Sequence, residues 1–150
     1  MSTELRSSVD IDGGRDQVWQ VLTDLAAYPD WNPFITRADG AVAVGERLSL
    51  DMHPVGARPA TLHPTVLEVT PGRRLRWRGR LGIPGLFDAK HSFTVSDRRG
   101  GGVRLVQEER FTGVLAPFLA GSLNRHTLPA FDAMNKALKR VEQAPVSQPD

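Results

Sequence analysis

The stretch RRLRWRGRLGIPGLFDAKHSFTVSDRRGGGVRLVQEERFT, residues 73 to 112, holds three alternating runs separated by two glycine-containing breaks. In the first run Leu75, Trp77, Gly79 and Leu81 alternate with Arg74, Arg76, Arg78 and Arg80. A period of two marks a strand with one face buried and the other solvated. In the second run, over 86–96, Phe87, Ala89, His91, Phe93 and Val95 share a face. In the third, over 102–112, Val103, Leu105, Gln107, Glu109 and Phe111 do. The breaks, Gly82-Ile83-Pro84-Gly85 and Asp97 to Gly102, are short enough to make the three strands consecutive antiparallel hairpins.

Outward from this core the same pattern continues. Residues 34–39, 46–53 and 60–70 read as strands, with turns at Asp39-Gly40 and Pro71-Gly72, and Glu4 to Ile11 alternates as a first strand. That predicts seven strands. Between the first two, Val18, Trp19, Leu22 and Leu25 mark an amphipathic helix over 15–25, and Tyr28 to Pro33 a short helix or turn with heavy aromatic anchors. After Gly113 the period changes. Leu115, Phe118, Leu119, Ser122, Leu123, His126, Ala130, Phe131, Met134, Leu138 and Val141 read as one helical stripe. Pro117 suits the first turn of that helix, and Pro129 predicts a kink near 125–129. A helix of about 26 residues would run about 39 Å, long enough to cross a sheet. Helices grouped beside an antiparallel meander mean an α+β fold in which the sheet bends around the last helix.

The 150 residues suit one domain, over 1–143, followed by a short proline-containing tail at 144–150 that reads as disorder. Cysteine is absent, which removes disulfides, zinc-thiolate sites and cysteine nucleophiles. No apolar run approaches the roughly 20 residues needed to cross a bilayer. The first residues lack the basic-then-apolar order of a signal peptide, so the expected location is cytoplasmic with no integral membrane association. A net charge of +2 gives no argument for nucleic acid. The four aligned arginines Arg74, Arg76, Arg78 and Arg80 have two readings. One is a phosphate-binding stripe; the other, favoured here, is a solvated outer face paired with acids such as Glu68 or Glu108.

The inward faces of the last two strands are apolar except at their middles, which hold His91, Gln107 and Glu109. Hairpin register sets His91 opposite Gln107 or Glu109, and Trp77 opposite His91, at Cβ separations of about 5 Å. The His91 and Glu109 side chains are then expected within about 4 Å, or joined through Gln107 or one water. Either this is a satisfied internal network, or its polar groups orient a ligand in a cavity. Gly79 and Ala89 leave space on the same face. The expected cavity lining is Met52, Trp77, Phe87, His91, Phe93, Gln107, Glu109, Phe118, Ser122, His126 and Phe131, with Gly82-Ile83-Pro84-Gly85 as an apolar lip between Leu81 and Leu86. No nucleophile-elbow, phosphate-loop, dinucleotide or zinc-protease motif occurs. His53, His63, His91 and His126 are too widely spaced for a metal set, so no metal or cofactor is expected.

Several segments together carry a family resemblance: Val18 to Asp24, Tyr28 to Phe34, Val66 to Pro71 followed by Leu75-Arg76-Trp77, His91-Ser92-Phe93, Gln107 to Glu109, and Met134 to Leu138. Over about residues 4–142 the chain resembles the SRPBCC superfamily, also called START-like or helix-grip proteins, and in particular its bacterial polyketide cyclase/dehydrase and lipid-transport type. The resemblance implies a curved seven-stranded sheet gripping the C-terminal helix over an apolar cavity, with Trp31-Asn32-Pro33 as a structural anchor. It implies binding, and transport, of a small or medium hydrophobic ligand. Two alternatives remain open. One is a cyclase/dehydrase enzyme acting on a polyketide-like or aromatic substrate, with His91 and Glu109 as candidate acid and base. The other is a protein-partner module of the chaperone-activator kind, for which no large apolar patch is legible. Ligand identity and oligomeric state are not legible either.

Overall fold

A computed structural model describes residues 3–81 and 83–143. Within them the chain runs β1 (Thr3–Ile11), α1 (Arg15–Thr23), a single 3-10 turn (Leu25–Ala27), α2 (Tyr28–Trp31), β2 (Ile35–Asp39), β3 (Ser49–Met52), β4 (Ala60–Leu62), β5 (Thr65–Thr70), β6 (Arg74–Leu81), β7 (Phe87–Asp97), β8 (Val103–Thr112) and α3 (Ala116–Gln143). The expected tail at 144–150 and Gly82 of the expected lip lie outside the described residues.

The strands pair antiparallel, as the short turns require, but the described residues hold eight of them rather than seven. They form a five-stranded sheet in the order β1-β8-β7-β6-β5 and a three-stranded sheet in the order β2-β3-β4. The extra strand comes from Pro64, which divides the single strand expected over 60–70 into β4 and β5. Proline has no N–H to give a ladder, so the run cannot continue through it. Its carbonyl instead accepts from the Leu48 amide at 2.8 Å, while the Val66 amide donates to Glu46 at 2.9 Å. These bonds and the bridge between Arg47 and Thr65 stitch the two sheets edge to edge. They also use up the first residues of the strand expected over 46–53, leaving Ser49–Met52.

The alternation in β6 to β8 holds. Leu75, Trp77, His91, Phe93, Val95, Val103, Leu105, Gln107, Glu109 and Phe111 are all buried on the concave face. On the convex face Arg76 pairs with Glu68 at 3.4 Å and Arg80 with Asp88 at 3.0 Å, so part of the arginine stripe is neutralised by neighbouring strands. α2 and its neighbours anchor the sheet's opening. The buried Tyr28 hydroxyl donates to the Leu22 carbonyl, and burial pushes that hydroxyl's pKa up. Asn32 Oδ1 accepts the amides of Phe34 and Ile35, each at 2.9 Å, and so sets the start of β2.

On the smaller sheet, Arg37 grips Asp51 through two nitrogens at 2.9 and 3.0 Å, and Thr61 donates to the same carboxylate at 2.8 Å. The Arg37 hydrogen bond first, and Thr61 next, hold the Asp51 carboxyl below its ordinary value. A depressed folded-state pKa contributes stability above the unfolded value, near pH 4, and loses it as pH falls through the folded value. Asp51→Asn is therefore expected to lower stability modestly at neutral pH. It should also shrink the further loss as pH falls below about 4, read as Tm against pH.

α3 lies along β1 and β8 and also touches α1 and α2. It is continuous through Pro129. Ala130, Phe131, Met134, Ala137 and Leu138 are buried against the sheet. Two members of the first half of the expected stripe, Phe118 and Ser122, are not. Phe118 is 81% exposed, and Ser122 is exposed. The cause is helical phase. Steps of four residues overshoot one turn by about 40°, so the ladder from Phe118 through Ser122 and His126 to Ala130 drifts by about 120°. Phe118 thus falls about 140° round the helix from Phe131, and Ser122 about 180°. Ala116, about 60° from Phe131 by the same geometry, is fully buried. No described helix is long and apolar enough to cross a membrane.

Candidate functional site

The register places Trp77 opposite His91 and His91 opposite Glu109. Gln107 stands opposite Phe93, one diagonal from His91. His91 Nδ1 lies 3.2 Å from Glu109 Oε2, and His91 Nε2 lies 2.8 Å from Gln107 Oε1. Alternation within two strands is thus enough to bring these three side chains together.

Beyond Gln107 the polar contacts continue into elements far away in sequence. Gln107 Nε2 donates to Asn135 Oδ1 on α3 at 2.9 Å, and Asn135 Nδ2 donates to Ser7 Oγ on β1 at 2.9 Å. The Ser7 hydroxyl donates to Asp132 Oδ1 on the exposed side of α3. A chain of six side chains therefore runs from Glu109 through the core to the surface. Ser7, Asn135 and Asp132 were not among the expected site residues. A signal for Ser7 existed: it is the polar member of the inward face Leu5, Ser7, Val9 and Ile11 on β1. Asn135 had one too, beside Met134 on the buried helical stripe. Asp132 had none, since it joins only through the fold.

His91 is boxed by rings. Phe93, Phe131, Trp77 and Phe34 have centroids 4.7, 5.0, 5.3 and 6.4 Å from the imidazole. Its side chain is 0% exposed, whereas that of Glu109 is 11% exposed. Glu109 is thus the member of the pair that a small molecule could touch. The interior around His91 is filled with aromatic rings, and the space lies further along the strands. A Cβ placed on Gly79 would meet nothing within 4 Å. Its partner across the ladder is Ala89, and both are half-buried. Phe87 is also half-buried and stacks on Phe111 at 5.6 Å. Ala89 and His91 are two residues apart on one face, so the open region begins about 7 Å from the imidazole row.

Exposed apolar side chains gather where the β6–β7 turn meets the start of α3. The turn before β7 is tied to the start of α3 by Val114 N to Gly85 O at 3.1 Å and Leu115 N to Leu86 O at 3.0 Å. Gly113 permits the contact: its φ is +108°, and a Cβ there would stand 2.6 Å from the Leu86 carbonyl oxygen. The tie leaves Ile83, Val114 and Phe118 exposed at 70%, 69% and 81%.

The other expected lining residues are distributed as follows. Met52 is buried in the core on β3. Phe118 and Ser122 are exposed rather than inside. His126 is a clasp, not an interior polar group. Its Nδ1 meets the Val55 carbonyl at 2.8 Å while its own carbonyl accepts from the Val55 amide at 2.8 Å, pinning the loop after β3 to α3. The phase drift described above accounts for Phe118 and Ser122, and His126 stands on the same drifting ladder.

A family model described as polyketide cyclase / dehydrase and lipid transport matches residues 2–143. Comparison with curated proteins finds no match. Among solved structures the chain is similar to the Zhui aromatase/cyclase from Streptomyces sp. R1128, with 17% identity, a TM-score of 0.75 and coverage of 98% of this chain and 97% of that one. It is similar to norcoclaurine synthase from Thalictrum flavum at 13% identity and a TM-score of 0.73, covering 97% of this chain and 88% of that one. A protein from Thermus thermophilus is similar at 14% identity and a TM-score of 0.75, covering 96% of this chain and 99% of that one. At these identities the likeness concerns the helix-grip fold.

Proposed function

The chain belongs to the polyketide cyclase/dehydrase and lipid-transport family, and from that premise we propose that it binds a small or medium hydrophobic molecule against the concave face of its sheet. The observation that carries this reading is the uncovered stretch at Gly79 and Ala89, where a side chain on Gly79 would meet nothing. Apolar surface left open inside a fold costs about 25 cal/mol per Å² until something covers it. The ligand enters past Ile83, Val114 and Phe118 and lies over Gly79, Ala89 and Phe87. Its inner end meets Glu109, the one partly exposed polar group of the interior row. A few polar groups at the end of an apolar site fix orientation more than affinity.

A second reading, acid–base catalysis of the cyclase or dehydrase kind, is favoured by one observation: Glu109 touches His91 at 3.2 Å while keeping part of its side chain exposed. In that case Glu109 exchanges the proton with the substrate, and His91, sealed behind its rings, supplies or receives it from behind.

Native mass spectrometry of the protein purified from its own host tests the primary reading. The expected result is a retained apolar molecule at one per chain, released by organic solvent. A protein that retains nothing and also takes up no apolar probe would contradict it. Glu109→Gln then separates the two readings. Intact affinity with abolished turnover of the retained molecule assigns catalysis, whereas weakened binding with no turnover in either protein assigns orientation.

A further inference from the structure

The six-residue chain has a direction, and its surface end sets it. As a carboxylate, Asp132 can only accept a hydrogen bond, so the single proton of Ser7 points to it. Ser7 Oγ then has only lone pairs to offer inward, and accepts from Asn135 Nδ2. That fixes the Asn135 amide, whose Oδ1 accepts from Gln107 Nε2, and so fixes the Gln107 amide with Oε1 towards His91. Reversing the Asn135 amide would leave Ser7 with one proton for two acceptors, and reversing the Gln107 amide alone would set two carbonyl oxygens together. His91 Nε2 must therefore carry a proton and donate it to Gln107 Oε1.

The consequence falls on the other ring nitrogen. In a neutral imidazole with a proton on Nε2, Nδ1 is an acceptor, yet it lies 3.2 Å from the Glu109 carboxyl oxygen. Two acceptors cannot make that contact. One more proton belongs between them, either on Nδ1 or on Glu109 Oε2. We infer that Asp132, on the outer side of α3, is a positioning residue that holds this extra proton at the His91–Glu109 pair through Ser7, Asn135 and Gln107. Without it the chain can run the other way. Gln107 would donate to His91 Nε2, Nδ1–H would donate to an ionised Glu109, and the pair would hold one proton fewer. The functional weight of the inference rests on Glu109 being the polar group a ligand meets, but its physical content does not.

The test is made on the ligand-free protein, so failure of the binding reading leaves it standing. In protein labelled with nitrogen-15 at histidine, long-range proton–nitrogen correlation at neutral pH reports which ring nitrogens of His91 are protonated, with His91→Gln identifying its signals. The wild type is expected to show a protonated Nε2. Asp132→Asn, at an exposed position, removes the obligate acceptor, because its amide can turn an N–H to Ser7, and Ser7→Ala cuts the chain. In both, Nε2 is expected to lose its proton and Nδ1 to carry the remaining one. Ser7→Thr, which keeps the hydroxyl, is expected to restore the wild-type pattern. An unprotonated Nε2 in the wild type, or a wild-type pattern retained in both Asp132→Asn and Ser7→Ala, would overturn the inference. A merely structural role for these residues would move the melting temperature and leave the tautomer as it was.

Discussion

Phe131→Ala is expected to destabilise the protein by about 3–5 kcal/mol, the usual cost of truncating a fully buried phenylalanine. Phe131 has no exposed surface. Its ring centroid lies 5.0 Å from His91 and 5.5 Å from Phe34. Removing it opens a void against the imidazole and releases the contact that seats α3 on the aromatic row. For a chain of this size each kcal/mol moves Tm by roughly 2–4 °C, so thermal unfolding is expected about 6–20 °C lower. Phe118→Ala on the same helix is the control. At 81% exposure it is expected to change stability by no more than about 0.5 kcal/mol. Equal costs at the two positions would mean that the helical phase described above is wrong.

Gln107→Leu is the second large effect. Leucine nearly matches glutamine in volume, so little packing is lost. What is lost is the bridge between His91 Nε2 and Asn135 Oδ1, contacts of 2.8 and 2.9 Å made in the buried interior. Each group left without a partner costs about 1–3 kcal/mol, giving about 2–6 kcal/mol for the two. Chemical denaturation should show the loss as a lower midpoint with an unchanged slope. The double variant Gln107→Leu with Asn135→Leu should recover part of it, because replacing both partners with apolar groups is far cheaper than orphaning one. A double variant as unstable as the sum of the two singles would show that the chain is not a connected unit.

Strand geometry was the legible part of this molecule. Side chains alternate strictly in β6, β7 and β8, so a glance along each run assigns faces, and short turns fix the register that sets Trp77, His91 and Glu109 side by side. Two kinds of information were not legible. Helical phase is one. A stripe assembled from steps of three and four looks continuous in sequence even as it winds round the cylinder. Phe118, Ser122 and His126 therefore read as inward, although Phe118 and Ser122 are exposed and His126 is only half-buried. Long-range connectivity is the other. Ser7 and Asp132 are 125 residues apart, and no local pattern announces that they meet. Pro64 was legible in principle: a proline inside a strand-like run is a reason to divide it, and the division is what makes eight strands of seven.

The site follows the same division. The pair at its centre was readable because it depends on two neighbouring strands. The exposed apolar group of Ile83, Val114 and Phe118 was readable only in part, since the turn holding Ile83 declares itself while its tie to Val114 and Leu115 depends on where the chain returns after β8. The aromatic box round His91 changes the meaning of the pair. It seals the histidine away and leaves Glu109 as the exposed member of the pair.

The central claim is that the open stretch over Gly79 is where a hydrophobic molecule binds, and Gly79→Leu tests it most directly. Gly79 has an ordinary backbone conformation and a Cβ there would meet nothing within 4 Å, so the leucine side chain should be accommodated with little change in Tm. Equilibrium titration with a fluorescent apolar probe such as 1-anilinonaphthalene-8-sulfonate compares the two proteins. The account predicts saturable binding of about one probe per wild-type chain and at least a tenfold weaker affinity in the variant, a difference of about 1.4 kcal/mol or more. A folded Gly79→Leu protein that binds the probe as tightly as the wild type would contradict it.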